Sequence, residues 1–359
     1  MATNYKVLIL GASYGSLLGS KLLMAGHHVT LVCRDKTAAL INQEGTRVRM
    51  PVKGRAAMVE IDSRQLAGTL DAKSPAQVEV ADYDLVCLAM QEPQYSDPEV
   101  RQLMQSIAKA KIPCMSIMNM PPLPYLARIA GIDPHACRPS FLDPDLWDAF
   151  VPGLMTLCSP DPQAFRPPEE PANVLQVGLP TNFKVARFDD AAHNALLQRL
   201  QDDIGAARLV VDGESLDLPV KLKFHESLFV PLAKWSMLMT GNYRCVLEES
   251  VQPIERAVHG DVAQSWEVYT WVTALCELLG AAPEDMVPFE KYAAAAQGLL
   301  KPSSAARSLA GGATHIERID LLIQLVAAQH GLHSEAVDQT VARIDGWLNR
   351  NRSLGRIAA

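Results

Sequence analysis

Short, unbroken apolar runs open the chain and alternate with segments of helical period. "YKVLIL" passes through a turn into "SLLGSKLLMAG" and then "HVTLVCR"; farther on come "YDLVCLAM", "PEVRQLMQSIAKA" and "PCMSIMN". Strands separated by helices at this spacing predict βαβ units and a parallel sheet. The runs lack alternation, as strands covered on both faces do. After "RLVVDGESLDLPV" the period changes, and apolar residues recur at helical spacing in "ESLFVPLAKWSMLMTGNYRCVL", "AQSWEVYTWVTALCELLGA" and "HIERIDLLIQLVAAQHG". Gly280 and Gly331 fall where helix C-caps are expected, and Pro283 reinforces the first stop. The expected fold is α/β: a Rossmann-type parallel sheet domain over 1–212, then an all-helical domain over 213–359. Two cores suit a length of 359 residues. Residues 138–182 are rich in proline and predict strand edges joined by long loops.

Composition narrows the class. No window is long and uncharged enough to span a bilayer, and "MATNYKVLIL" runs into the first strand with no room for a signal peptide, so a cytoplasmic setting is expected. The seven cysteines have no C-x-x-C spacing, which argues against a zinc site and a disulfide framework and for reduced thiols. No second histidine stands at helical spacing from His225, so no metal is expected; His225 and His259 suit surface or helix-end positions. A formal charge of −7 without a basic run disfavours nucleic acid as a partner and leaves small molecules. The apolar helix "WEVYTWVTALCELLG" suits either a core or a homodimer seam.

The first turn carries the candidate chemistry. Laid on the dinucleotide fingerprint G-x-G-x-x-G, "GASYGSLLG" puts Gly11, Ser13 and Ser16 at the three positions, with Gly15 and Gly19 close by. One reading is a phosphate cradle at a helix N-terminus, where unpaired N–H groups and the helix dipole favour an anion. The other is an ordinary βα turn. Position favours the cradle, since the turn follows the first strand and precedes a helix and second strand. That second strand ends on Cys33 and Arg34, where an NAD site has an acid. Arg34 suits a ribose 2′-phosphate, which prefers NADP(H) over NAD(H), although a surface arginine is the alternative.

In their order these segments resemble ketopantoate reductase (2-dehydropantoate 2-reductase) and its wider group of NADPH-dependent 2-oxo-acid reductases. The family's G-A-G-A-I-G-S-L-Y-G turn, A-G-H and strand ending in arginine are met here by "GASYGSLLG", "AGHHVTLV" and Arg34, with the turn one residue shorter. The family's V-K-A-x-Q is similar to "MQEPQ", which puts Gln91 on a lysine and keeps Gln94; its Q-N-G-like turn puts Asn119 on an asparagine beside the nicotinamide ribose. K-L-x-x-N-x-x-x-N is similar to "KWSMLMTGN", with Lys234 and Asn242 retained and Leu238 in place of the first asparagine. "PSSAAR" and "THIE" put Ser303 on the family serine, Arg307 on an aspartate and His315 on the glutamate.

The resemblance implies an NADP(H)-dependent reductase of a small 2-oxo acid or related ketone, acting in a cleft between two domains. It implies Lys234 as general acid, His315 as a second catalytic or specificity residue, Asn242 and Ser303 as substrate ligands, and Gly11, Ser13, Tyr14, Gly15, Arg34, Gln91 and Asn119 around the cofactor. The changes at Gln91, Leu238 and His315 point to a substrate other than ketopantoate. Glu317 is not expected to replace the lost glutamate, since two residues along a helix turn a side chain away. An NADP(H)-binding sensor or interaction protein without turnover is the second reading.

Overall fold

The computed structural model describes residues 4–357. Its strands, in chain order, are β1 Lys6–Leu10, β2 His28–Val32, β3 Arg47–Met50, β4 Val59–Asp62, β5 Thr69–Lys73, β6 Leu85–Leu88, β7 Cys114–Ser116, β8 Met155–Ser159, β9 Gln163–Phe165, β10 Val174–Leu179, β11 Phe183–Ala186, β12 Leu209–Val211, β13 Glu214–Leu216 and β14 Leu222–His225. The α-helices are α1 Gly15–Met24, α2 Asp35–Glu44, α3 Pro98–Ala110, α4 Leu123–Leu126, α5 Pro134–Cys137, α6 Ala191–Ala206, α7 Lys234–Met237, α8 Ile254–His259, α9 Val262–Leu278, α10 Phe289–Ala296, α11 Ser304–Ala310, α12 Ile319–Gln329 and α13 Glu335–Ile357.

Contacts divide the chain into two compact units. The first comprises the residues up to Met90, Gln94–Tyr125 and Asp145–Glu226; the second comprises Gln91–Pro93, Leu126–Pro144 and the chain from Ser227 onward. The division expected at 212/213 falls inside a hairpin, where Asp212 and Gly213 both take positive φ (50° and 81°) between β12 and β13. An Asp-Gly pair in that conformation makes the tight turn whose twist suits a two-residue hairpin. The first unit continues to Glu226 because β14 pairs with β11 from Leu222 to His225.

In the first unit, six strands pair in parallel in the order β5-β2-β1-β6-β7-β8, that of a doubly wound dinucleotide-type sheet. β11 then adds antiparallel to β8, and β14 parallel to β11. Val7, Leu8, Ile9 and Leu10 are all fully buried, as the unalternating run predicts. A second sheet, β4-β3-β10-β9, has alternating burial in "RVRM" and "VEID". Its register brings Arg47 of β3 beside Val174 of β10, a pairing no local pattern announces.

The second unit is helical. Gly280 (φ +112°) follows α9 and Gly331 (φ +68°) follows α12, in the left-handed region where a Cβ is costly. Arg318 donates to Asp320 at 3.0 Å and to Asp345 at 2.7 Å, which ties the start of α12 to α13. Among the described residues no helix is long and apolar enough to cross a membrane.

Candidate active site

The glycine turn lies where the strand order reverses, between β1 and β6, the place where open α/β sheets take their ligands. Gly11 has φ +108°, and a Cβ there would come within 2.7 Å of the Ala89 carbonyl oxygen that follows β6. Only glycine fits both constraints. A Cβ on Gly15 already meets Ile9 Cγ2 at 2.6 Å, so this glycine lets α1 pack on β1. The Gly15 N–H donates to Gly11 O at 3.1 Å, and the Ser16 hydroxyl donates to Ser13 O at 2.8 Å. Among the described residues the N–H groups of Ala12, Ser13 and Tyr14 donate to no protein acceptor. Three donors at the start of a ten-residue helix can hold phosphate oxygens. The Tyr14 side chain is committed elsewhere: its hydroxyl donates to Pro162 O at 2.7 Å and its ring meets Phe183 edge-on. Burial pushes its phenol well above the usual range.

Arg34 forms the N-cap of α2, its carbonyl accepting from Thr37 and Ala38, each at 2.9 Å. Its side chain is exposed and, among the described residues, without an ion pair. Cys33 before it carries a thiol that burial pushes up to about 11. Asn119, half-buried, lies three residues beyond β7 in the same unit, and exposed Gln91 opens the short segment that groups with the helical unit.

In the helical unit, "FVPLAKWSMLM" is not one helix. A 3₁₀ turn over Val230–Ala233 leads into α7, which begins at the half-buried Lys234, and a π-helical turn over Leu238–Tyr243 contains Asn242. The cause is a side chain entering the ladder: the Tyr292 hydroxyl donates to Met237 O at 3.0 Å, the carbonyl that Gly241 N–H would use in an α-helix. Gly241 is obligatory there, since its Cβ would lie 2.0 Å from that hydroxyl oxygen. Such π turns concentrate at functional sites.

The fold gathers further residues around this turn. Ser303 donates to Asn242 O at 2.7 Å and accepts from Ala306 N at 3.1 Å, so its buried hydroxyl caps α11 while fixing the Asn242 backbone. The Tyr243 hydroxyl donates to Glu317 O and accepts from Ile319 N at 3.1 Å. Glu317, 8% exposed, accepts from Glu92 N–H at 3.4 Å, and the Glu92 carboxylate in turn accepts from Leu142 N at 3.0 Å. Burial pushes Glu92 up to about 7, against the pull of the Leu142 and Asp143 N–H groups and with a smaller push from Glu317.

His315 and Glu317 differ in burial from what the sequence suggests. His315 is exposed, with Nδ1 3.1 Å from the Thr314 hydroxyl, and partial burial together with Arg352 lowers its pKa. The helical geometry that was expected to turn Glu317 away does not apply, because α12 begins only at Ile319 and the preceding residues are irregular. Glu317 therefore turns inward. Arg307 is exposed and bonds Pro302 O. Among the described residues, no three His, Cys, Asp or Glu side chains cluster as metal ligands.

The fold and the turn define a protein with a dinucleotide-type sheet unit and a helical unit. The family model described as ketopantoate reductase PanE/ApbA matches residues 7–119 of the chain. Among solved structures it is similar to a 2-dehydropantoate 2-reductase from Methylococcus capsulatus, at 13% identity over 96% of this chain and 97% of the other, with a TM-score of 0.63. A PanE/ApbA family ketopantoate reductase from Ralstonia eutropha JMP134 is 16% identical over 97% and 99%, with a TM-score of 0.60. D-mandelate dehydrogenase, in complex with NADH, is 15% identical over 97% and 99%, with a TM-score of 0.60. At these identities the structural likeness establishes the fold. No curated protein matches the chain.

Proposed function

We propose that the protein is an NADPH-dependent reductase that delivers hydride to the carbonyl of a small 2-oxo acid or related ketone. The observation that carries this reading is the close approach of Gly11 to the Ala89 carbonyl, with the N–H groups of Ala12, Ser13 and Tyr14 left to a ligand at the strand-order reversal. Gly11, Ser13, Tyr14 and Gly15 shape that cradle through their backbone, Arg34 takes the 2′-phosphate, and Gln91 and Asn119 attend the nicotinamide side. The bound cofactor supplies the hydride.

Lys234 gives a proton to the carbonyl oxygen, a task a cation also helps by stabilising developing negative charge. Asn242, presented by the π turn that Ser303 braces, binds substrate. Glu317 supplies the carboxylate of the site, held by Glu92 N–H, and His315 at the surface tunes substrate choice. The family changes at Gln91 and Leu238 favour a carbonyl compound other than ketopantoate. The same changes support the second reading, an NADP(H)-binding sensor without turnover.

Following NADPH absorbance with a panel of 2-oxo acids and ketones, beside Lys234→Ala, separates the two. Consumption that disappears in the variant supports the reductase; tight NADPH binding with no turnover of any compound supports the sensor. A homodimer in the cytoplasm completes the proposal: Val262, Trp266 and Leu278 stand exposed on α9, and all seven cysteines are unbridged. A dimeric ketopantoate reductase from Staphylococcus aureus has the same fold, with a TM-score of 0.60.

A further inference from the structure

The proline-rich stretch after β8 lies against the glycine turn. Pro162, directly before β9, accepts the Tyr14 hydroxyl at 2.7 Å. Asp161 is held by Lys184 at 3.1 Å and by the Ser159 hydroxyl, so the segment enters β9 from a fixed point. β9 then pairs with β10, with Phe165 opposite Gln176. Arg166 follows β9 directly, four residues after the Pro162 that holds Tyr14 of the turn, and its charge is felt by Cys33 at the end of β2.

Arg166 is half-buried, and among the described residues its guanidinium makes no hydrogen bond and no ion pair. Burial lowers its pKa while Cys33 raises it, and Arg166 in turn lowers the Cys33 thiol against burial and the nearby Asp35. Arg49 of the same sheet, by contrast, is paired: it donates to Glu60 at 2.7 Å and to Glu170 at 2.6 Å. A guanidinium taken out of water without an anion loses hydration with no return, so its position is explained by an anion that arrives with a ligand.

We infer that Arg166 is a second binding residue for the cofactor's ribose 2′-phosphate, joining Arg34 and making the site selective for a phosphorylated dinucleotide. Resting on the NADPH reading above, this inference adds a determinant supplied by the second sheet. Two guanidiniums can share the three free oxygens of a phosphate monoester, each through charge-assisted hydrogen bonds.

The test is binding. Fluorescence titrations of the full-length protein with NADPH and with NADH are compared for the parent, Arg166→Gln, Arg166→Lys and Arg34→Gln, with competition by 2′,5′-ADP and by 5′-ADP. Arg166→Gln is expected to raise the Kd for NADPH about tenfold and to weaken 2′,5′-ADP similarly, with NADH and 5′-ADP changed less than about twofold. Arg166→Lys is expected to fall between, because it keeps charge without the fork. Equal losses for both dinucleotides, or an unchanged NADPH/NADH ratio in both Arg166 variants, overturn the inference while parent binding leaves the cofactor reading intact. A parent that binds neither dinucleotide overturns the cofactor reading itself.

Discussion

The main-chain N–H of Glu92 donates to the Glu317 carboxylate at 3.4 Å, across 225 positions of sequence. Through it, the segment that begins with Gln91 is joined to the irregular residues before α12. Tyr243 joins those same residues to the π turn, so three segments distant in sequence form one cluster within the helical unit.

Exchanging the two candidate acid–base residues distinguishes their roles. Glu317→Gln is expected to lower kcat/KM by about 10²-fold, the usual scale for removing an acid–base group. His315→Ala is expected to change it by less than about fivefold, mostly in KM, because the imidazole is exposed. Steady-state kinetics on any accepted substrate decides. A larger loss in the histidine variant would reverse the assignment.

Glu92 makes stability depend on acidity. Its folded pKa, raised by burial to about 7, lies above the usual carboxylate value of 4.5, so its contribution is fully present below about pH 4.5 and is lost as pH rises through 7. Glu92→Gln keeps an oxygen for Leu142 N–H and cannot ionise. The variant should therefore gain Tm relative to the parent steadily from pH 4.5 to 7.5. A pH-independent difference refutes this account of Glu92.

Lys21 runs the other way. Its side chain, 1% exposed on α1, donates to Pro219 O at 3.0 Å and Leu218 O at 3.5 Å, holding a turn in which Val220 takes φ +65°. Burial, with Lys221 and Arg208 adding to it and Asp217 opposing, lowers its pKa to about 7 from 10.5. Between those values the unfolded chain binds the extra proton, so stability rises with pH. Urea denaturation of the parent and Lys21→Met is expected to show the parent gaining on the variant from pH 7 to 9. A constant gap would mean that Lys21 stays charged.

Ser303→Ala removes a helix cap and the donor to Asn242 O, and should cost about 1–2 kcal/mol in denaturant titrations. Ser303→Thr, which retains the hydroxyl, should recover most of it. A substrate KM that rises in Ser303→Ala without loss of stability would instead point to direct contact with substrate.

The parallel sheet was legible because each strand buries both faces, and "KVLIL" or "LVCL" states that locally. Gly11, Gly280 and Gly331 were legible for the same reason: each marks a backbone conformation required by its own neighbours in sequence. Lys234 and Asn242 stood out through resemblance, while the π turn that presents Asn242 did not, since Tyr292 causes it from another helix. The second sheet stayed hidden because "RVRM" and "VEID" are short and half-charged, and β3 finds β10 across more than a hundred residues. The burial of Glu317 was not legible because the start of α12 was unknown: Ile319 N–H there donates to the Tyr243 hydroxyl.

Periodicity, turn chemistry and charge, all properties of near neighbours, were enough to specify a doubly wound sheet followed by helices and to mark the glycine turn. Which carboxylate is buried, which arginine lacks a partner and where a helix widens to a π turn were decided by folding, because each depends on groups brought together from distant parts of the chain, and burial and pairing energies exist only once they meet.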